Sequence, residues 1–146
     1  MNHVAITKEL VSRKDIQGSD FLKDLCAATI ATYPNGVAVS PWMGYLAEEC
    51  GIFVGTCAFK TPPESGEVEI AYFTFPENEG RGVATAMAQG LIDLASKHGV
   101  RRIKAQTLPE MNASTRILEK LGFKYSGPVN HPEDGDVWEW HWEGTA

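Results

Sequence analysis

The sequence predicts a mixed α/β (α+β) fold: one twisted, mostly antiparallel sheet with helices on both faces. Three observations carry this expectation. Val83, Met87, Leu91 and Leu94 recur at helical spacing between two β-rich runs, EVEIAYFTF and VRRIKAQTL. Before them, WMGYLAEE and GIFVGTCAFK flank Cys50-Gly51 as the two arms of a hairpin do. At the other end DVWEWHWE alternates strictly, with Trp138, Trp140 and Trp142 on one face and Val137, Glu139 and His141 on the other. A chain of 146 residues with 43% hydrophobic residues has the size and composition of one domain, spanning 1–146.

Taken in order, residues 20–32 place Phe21, Leu25, Ala28 and Ala31 near helical spacing, and Tyr33-Pro34-Asn35-Gly36 closes that helix with turn residues. The hairpin follows, then the loop TPPESG, then the strand EVEIAYFTF, so three consecutive antiparallel strands are predicted. The helix from Gly82 carries Thr85, Gln89, Asp93 and Lys97 on its polar stripe and closes at His98-Gly99. Because a long helix separates them, VRRIKAQTL should lie parallel to EVEIAYFTF. A short helix over 112–121, capped by Gly122, leads into the strand FKYSG and then the tryptophan strand.

The formal net charge of −6 leaves no basic excess for nucleic acid or an anionic membrane surface. Any anionic ligand therefore needs a local site. Three cysteines without CxxC spacing or a histidine cluster predict neither a disulfide framework nor a metal site, but reduced and mostly buried thiols. The N-terminal residues have no apolar signal core and no run reaches membrane-span length, which predicts a cytoplasmic protein. A monomer or a homodimer is expected, and no motif chooses between them. HPEDGD, residues 131–136, reads as a solvated acidic loop able to attract a cationic amine.

The chemistry concentrates at Glu79-Gly80-Arg81-Gly82-Val83-Ala84-Thr85, between a strand and a helix. The first amides of a helix lack intrahelical acceptors, the helix dipole is positive there, and glycines let an anion approach the backbone. Arg81 adds a charge that pairs with phosphate. A Walker loop and a dinucleotide fingerprint both fail, since neither GK[ST] nor a third glycine follows. Alone, the glycine pair fits a plain strand-to-helix turn equally well.

Its surroundings decide between the two. The stretch from Glu67 to Phe123, with NASTRILEKLGF at its end, resembles the GNAT superfamily of acyl-CoA-dependent N-acetyltransferases, and its tail looks like the branch containing the ribosomal-protein alanine acetyltransferases. The family motif, Gln/Arg-x-x-Gly-x-Gly/Ala, meets Glu79-Gly80-Arg81-Gly82-Val83-Ala84, with Glu79 where Gln or Arg is usual; Glu79 is expected to cap the helix start. The resemblance implies a central parallel pair of strands splayed around acetyl-CoA, the co-substrate, with no metal required. It implies that the amides of Gly80, Arg81, Gly82, Val83, Ala84 and Thr85 hold the pyrophosphate. It implies further that Tyr72, Phe73 and Thr74 line the pantetheine arm, one of their amides serving as an oxyanion donor.

Asn112 is either an N-cap or a contact to that arm, and Ser114 either a phosphate contact or a second capping group. Transfer of an acetyl group to a primary amine needs a base, and Glu69, on the strand that leads into the glycine turn, is the candidate; the alternative is an ion pair with a lysine across the sheet. The usual tyrosine acid of the family is replaced by Leu118, which leaves Tyr125, Tyr72 or water to reprotonate the thiolate. The reading from a different class is a non-catalytic acyl-CoA-binding module.

Overall fold

The computed structural model describes residues 1–133 and 135–144. The chain runs β1 (Asn2–Ala5), α1 (Lys8–Val11), α2 (Lys14–Gln17), α3 (Asp20–Ala31), β2 (Gly44–Glu49), β3 (Ile52–Phe59), β4 (Glu67–Thr74), α4 (Val83–Lys97), β5 (Arg102–Thr107), α5 (Ala113–Lys120), β6 (Lys124–His131) and β7 (Gly135–Glu143). The strands form one sheet in the order β1-β2-β3-β4-β5-β7-β6. Every neighbouring pair is antiparallel except β4 and β5, as the long helix between them requires.

Strand alternation sorts the side chains into two layers. Val68 and Ile70 of β4, Ile103 and Ala105 of β5, and Trp140 of β7 share a core with Met87, Leu91 and Ala95 of α4 and Leu118 of α5. The three tryptophans stand in register with Ile103, Ala105 and Thr107, so they face this layer together, as their period predicts. On the opposite face, Leu46 and Val4 pack with Ile16 of α2, Leu10 of α1, and Cys26 and Leu25 of α3. Helices thus cover both faces, but α1–α3 cover the β1–β3 side.

The amino-terminal layer departs from the sequence expectation. β1, α1 and α2 have four residues each, too short for periodicity to register. Thr7 accepts from the Leu10 amide at 3.2 Å and Ser19 from the Leu22 amide at 3.2 Å, closing the starts of α1 and α3. β6 is also longer than FKYSG: it continues to His131 and pairs along β7, so much of the supposed acidic loop is strand and hairpin turn. Asn130 there donates to Asp136 at 3.0 Å, while Asp134 of that loop lies outside the described residues.

Candidate active site

The sheet opens where β4 and β5 stop pairing. Their parallel register runs from Glu67–Arg102 to Ile70–Ala105 and goes no further, although β4 continues to Thr74. Lys60 N donates to Glu69 O at 2.9 Å and Phe75 N to Val54 O at 3.0 Å, so the odd-numbered residues of this stretch bond toward β3. By alternation the N–H and C=O of Tyr72 and Thr74 point toward β5, into the gap. Those are edge groups ready to take an extended, amide-bearing ligand as an added strand. Phe73, the third residue expected here, spends its backbone on β3 and presents an exposed ring instead.

Above this gap lies a cleft of about 770 Å³ lined by Tyr72, Phe73 and Thr74, by Glu79 to Thr85 except Arg81, and by Ala113, Ser114 and Ile117 of α5. The helix start forms its head. Gly80 and Gly82 both hold φ of +78°, a region that L-residues avoid, and a side-chain carbon on either would meet open space. Glycine is required there for backbone conformation rather than for room. Gly82 is the N-cap of α4, and the first helical bond runs from Ala86 N to Gly82 O at 3.1 Å. The amides of Val83, Ala84 and Thr85 precede that bond and sit at the positive end of a fifteen-residue helix.

Glu79 does not cap this helix: the N-cap has no side-chain hydrogen bond, and Glu79 is an exposed residue on the cleft wall. Gly80, Arg81 and Gly82, with left-handed backbone at both glycines, stand between Glu79 and the helix. Arg81 turns away from the cleft: its Nη2 donates to Asn78 Oδ1 at 3.2 Å and lies 3.6 Å from Glu49 Oε1, with 56% of its side chain exposed. It is a cation beside the cradle rather than part of its wall.

Tyr72 extends its ring toward α5 and its hydroxyl donates to Ser114 O at 3.4 Å. Burial pushes this phenol up to about 12, against the lowering effect of that hydrogen bond, so it remains protonated at neutral pH. Ser114 lines the cleft. Asn112 closes a capping box instead, its side chain accepting from Thr115 N at 3.1 Å while Thr115 Oγ1 accepts from Asn112 N at 2.8 Å. Ala113 and Ile117, four residues apart on α5, complete the wall; their spacing marks one helix face, but nothing in the sequence says that the face borders a cleft.

The two candidate catalytic groups lie elsewhere. Tyr125 is half exposed and packs edge-on against Trp138 and Trp140, with ring centroids 5.2 Å and 5.5 Å away, in a second cleft that includes Met111 and Phe123. Glu69 stands on the sheet face away from α4, its Oε2 2.9 Å from Lys60 Nζ, with only 15% of its side chain exposed. It sits three residues, about 10 Å of strand, before Tyr72. His141, assigned no chemistry from sequence, lies on the same sheet face between Glu67 at 3.3 Å and Glu139 at 3.1 Å. Among the described residues, no group of three or more His, Cys, Asp or Glu is placed to share a metal ion. Nor is any helix among them long and apolar enough to cross a membrane.

The chain's sequence and fold also have counterparts among known proteins. The model of the acetyltransferase (GNAT) domain matches residues 12–124, and the chain belongs to that family. It is similar to the uncharacterized N-acetyltransferase p20 of Bacillus licheniformis, 32% identical over 84 residues that cover 56% of this chain and 47% of the relative. The match therefore spans about half the length of that protein. Among solved structures, RimL, the ribosomal L7/L12 α-N-protein acetyltransferase, superposes with a TM-score of 0.72 at 17% identity, covering 97% of this chain and 91% of its own. The yncA protein of Salmonella typhimurium, solved with its cofactor acetyl-CoA, gives 0.62 at 21% identity over 87% of this chain and 75% of its own. Both likenesses are of fold.

Proposed function

We propose that the chain is an N-acetyltransferase that moves an acetyl group from acetyl-CoA to a primary amine within a ternary complex. The observation that supports it most is the joining of two half-sites in one cleft: unpaired strand groups at Tyr72 and Thr74, and unbonded helix amides from Val83 to Thr85. The first half suits a pantetheine arm and the second a pyrophosphate, in the order in which acetyl-CoA carries them. The Tyr72 or Thr74 amide would donate to the thioester carbonyl oxygen as it gains charge. Glu69 would take the amine proton through water, because the strand spacing leaves room for one, and Tyr72, whose phenol lines the cleft, is better placed than Tyr125 to protonate the departing thiolate.

A groove of about 440 Å³ between α3 and the sheet, bordered by Ala28, Thr29, Gly44, Ala58 and Lys60, opens on the face that carries Glu69 and is the candidate entrance for the amine. Small residues border it on both walls. One observation favours the second reading, a non-catalytic acyl-CoA-binding module: Glu69 is already engaged by Lys60. Release of free CoA from acetyl-CoA, followed over a panel of amino acids, polyamines and peptide N-termini, separates the two. Amine-dependent release that falls about 100-fold or more in Glu69→Gln, with acetyl-CoA binding unchanged, supports the enzyme. Tight binding without release on any amine supports the module.

A further inference from the structure

Lys60 and Glu69 face each other at the end of the β3–β4 ladder. Their backbones are joined at 2.9 Å and their side chains meet at 2.9 Å, on the face opposite Phe59 and Ile70. The carboxylate is mostly covered, and its Oε2 has no hydrogen bond of good geometry, so the Lys60 ammonium holds it by charge. The Lys60 side chain is 43% exposed and borders the groove beneath α3. The other cation in register with Glu69 is Lys104 on β5. Toward the opening of the sheet the same face carries Ala71 paired with Ala58, so no large side chain of these two strands stands between the ion pair and the point where β4 and β5 part.

We propose that Lys60 is an acetylation site of this chain, modified by the acetyl-CoA that the chain itself binds, with Glu69 as the proton acceptor. This rests on the function proposed above. Lys60 is a primary amine already held against the group that the reaction uses as base. The ammonium gives one proton to Glu69, and the freed Nζ lone pair forms a C–N bond with the thioester carbonyl carbon. The C–S bond breaks, its electron pair leaves on sulfur, and the second proton from nitrogen goes to the CoA thiolate. Glu69 then returns its proton to solvent. The products are Nε-acetyl-lysine and CoA, with no further reactant. Acetylation removes the lysine charge and so releases Glu69 from its ion pair, which makes the modification a switch that frees the base for an external amine.

The test incubates the purified chain with acetyl-CoA bearing a ¹³C-labelled acetyl group, then follows intact mass, maps the labelled peptide and melts the same samples. The expected result is a single label on Lys60 whose rate saturates with acetyl-CoA, does not depend on protein concentration, and falls about 100-fold in Glu69→Gln. Lys60→Arg, which keeps the charge, should abolish the label while acetyl-CoA still raises the melting temperature. If Glu69→Gln fails to melt cooperatively, saturation and the Lys60→Arg loss decide. A rise in melting temperature with no label on Lys60 would overturn the proposal and leave acyl-CoA binding standing; so would equal labelling of exposed lysines such as Lys8 and Lys124. No rise in melting temperature overturns the function on which the proposal rests.

Discussion

Gly82 concentrates the account into one residue. Its φ of +78° costs an L-residue about 1–2 kcal/mol, and no neighbouring atom obstructs a methyl group there. Gly82→Ala should therefore lower stability by about 1–2 kcal/mol in denaturant titration and, by rotating the amides of Val83 to Thr85, weaken acetyl-CoA binding at least tenfold in calorimetry. A second residue-scale prediction concerns pH. Burial pushes the Cys57 thiol up to about 12 from an ordinary value of 9.0, and Tyr45 and Tyr72 up to about 12 from 10.0. Above pH 9.0 the unfolded chain loses protons that the folded chain keeps, so stability is full below that pH and declines as pH rises toward 12. Cys57→Ala should flatten the first part of that decline in urea midpoints measured across the alkaline range. Of the three free thiols, Cys50 is exposed and Cys26 and Cys57 are buried, so a thiol reagent should modify Cys50 first.

At the scale of elements, the packing of β1 against α4 is held by a close approach. A side-chain carbon at Gly90 would fall 2.2 Å from His3 Cε1, and His3 Nε2 is 3.2 Å from Met87 O. Gly90→Ala should destabilise the fold, and His3→Ala should recover part of that loss; the coupling is read from a double-mutant cycle in urea. The capping box of α5 gives a smaller effect. Asn112→Ala removes a bond to Thr115 N and should cost about 1 kcal/mol. These elements also show what the sequence makes legible. The helix α4 and the tryptophan face of β7 each carry a long period, and the parallel pairing of β5 with β4 follows from the long helix between them, so all three were readable. β1, α1 and α2 are too short to carry a period and are set by contacts between distant residues, such as His3 on Gly90 and Leu10 and Ile16 in one cluster with Leu46, which no local pattern records.

For the whole molecule, the candidate site divides along the same line. The glycine turn was legible because strand, glycines and helix are consecutive in sequence. Ala113 and Ile117 were not, because α5 reaches the cleft through tertiary packing. Tyr125 and Glu69 share a sheet with the cleft residues yet point elsewhere: Glu69 lies across from Lys60 because strand register, not proximity in sequence, chooses its partner. The claim that unites these parts is that one cleft reads two adjoining parts of acetyl-CoA, strand groups taking the arm and helix amides the pyrophosphate. Thermal melting with acetyl-CoA, and with acetyl-pantetheine lacking the nucleotide diphosphate at the same concentration, tests it most directly. At a hundredfold excess over Kd, acetyl-CoA should raise the melting temperature by about 5–10 °C, and acetyl-pantetheine by far less. No rise with acetyl-CoA, or an equal rise with both, would contradict the account.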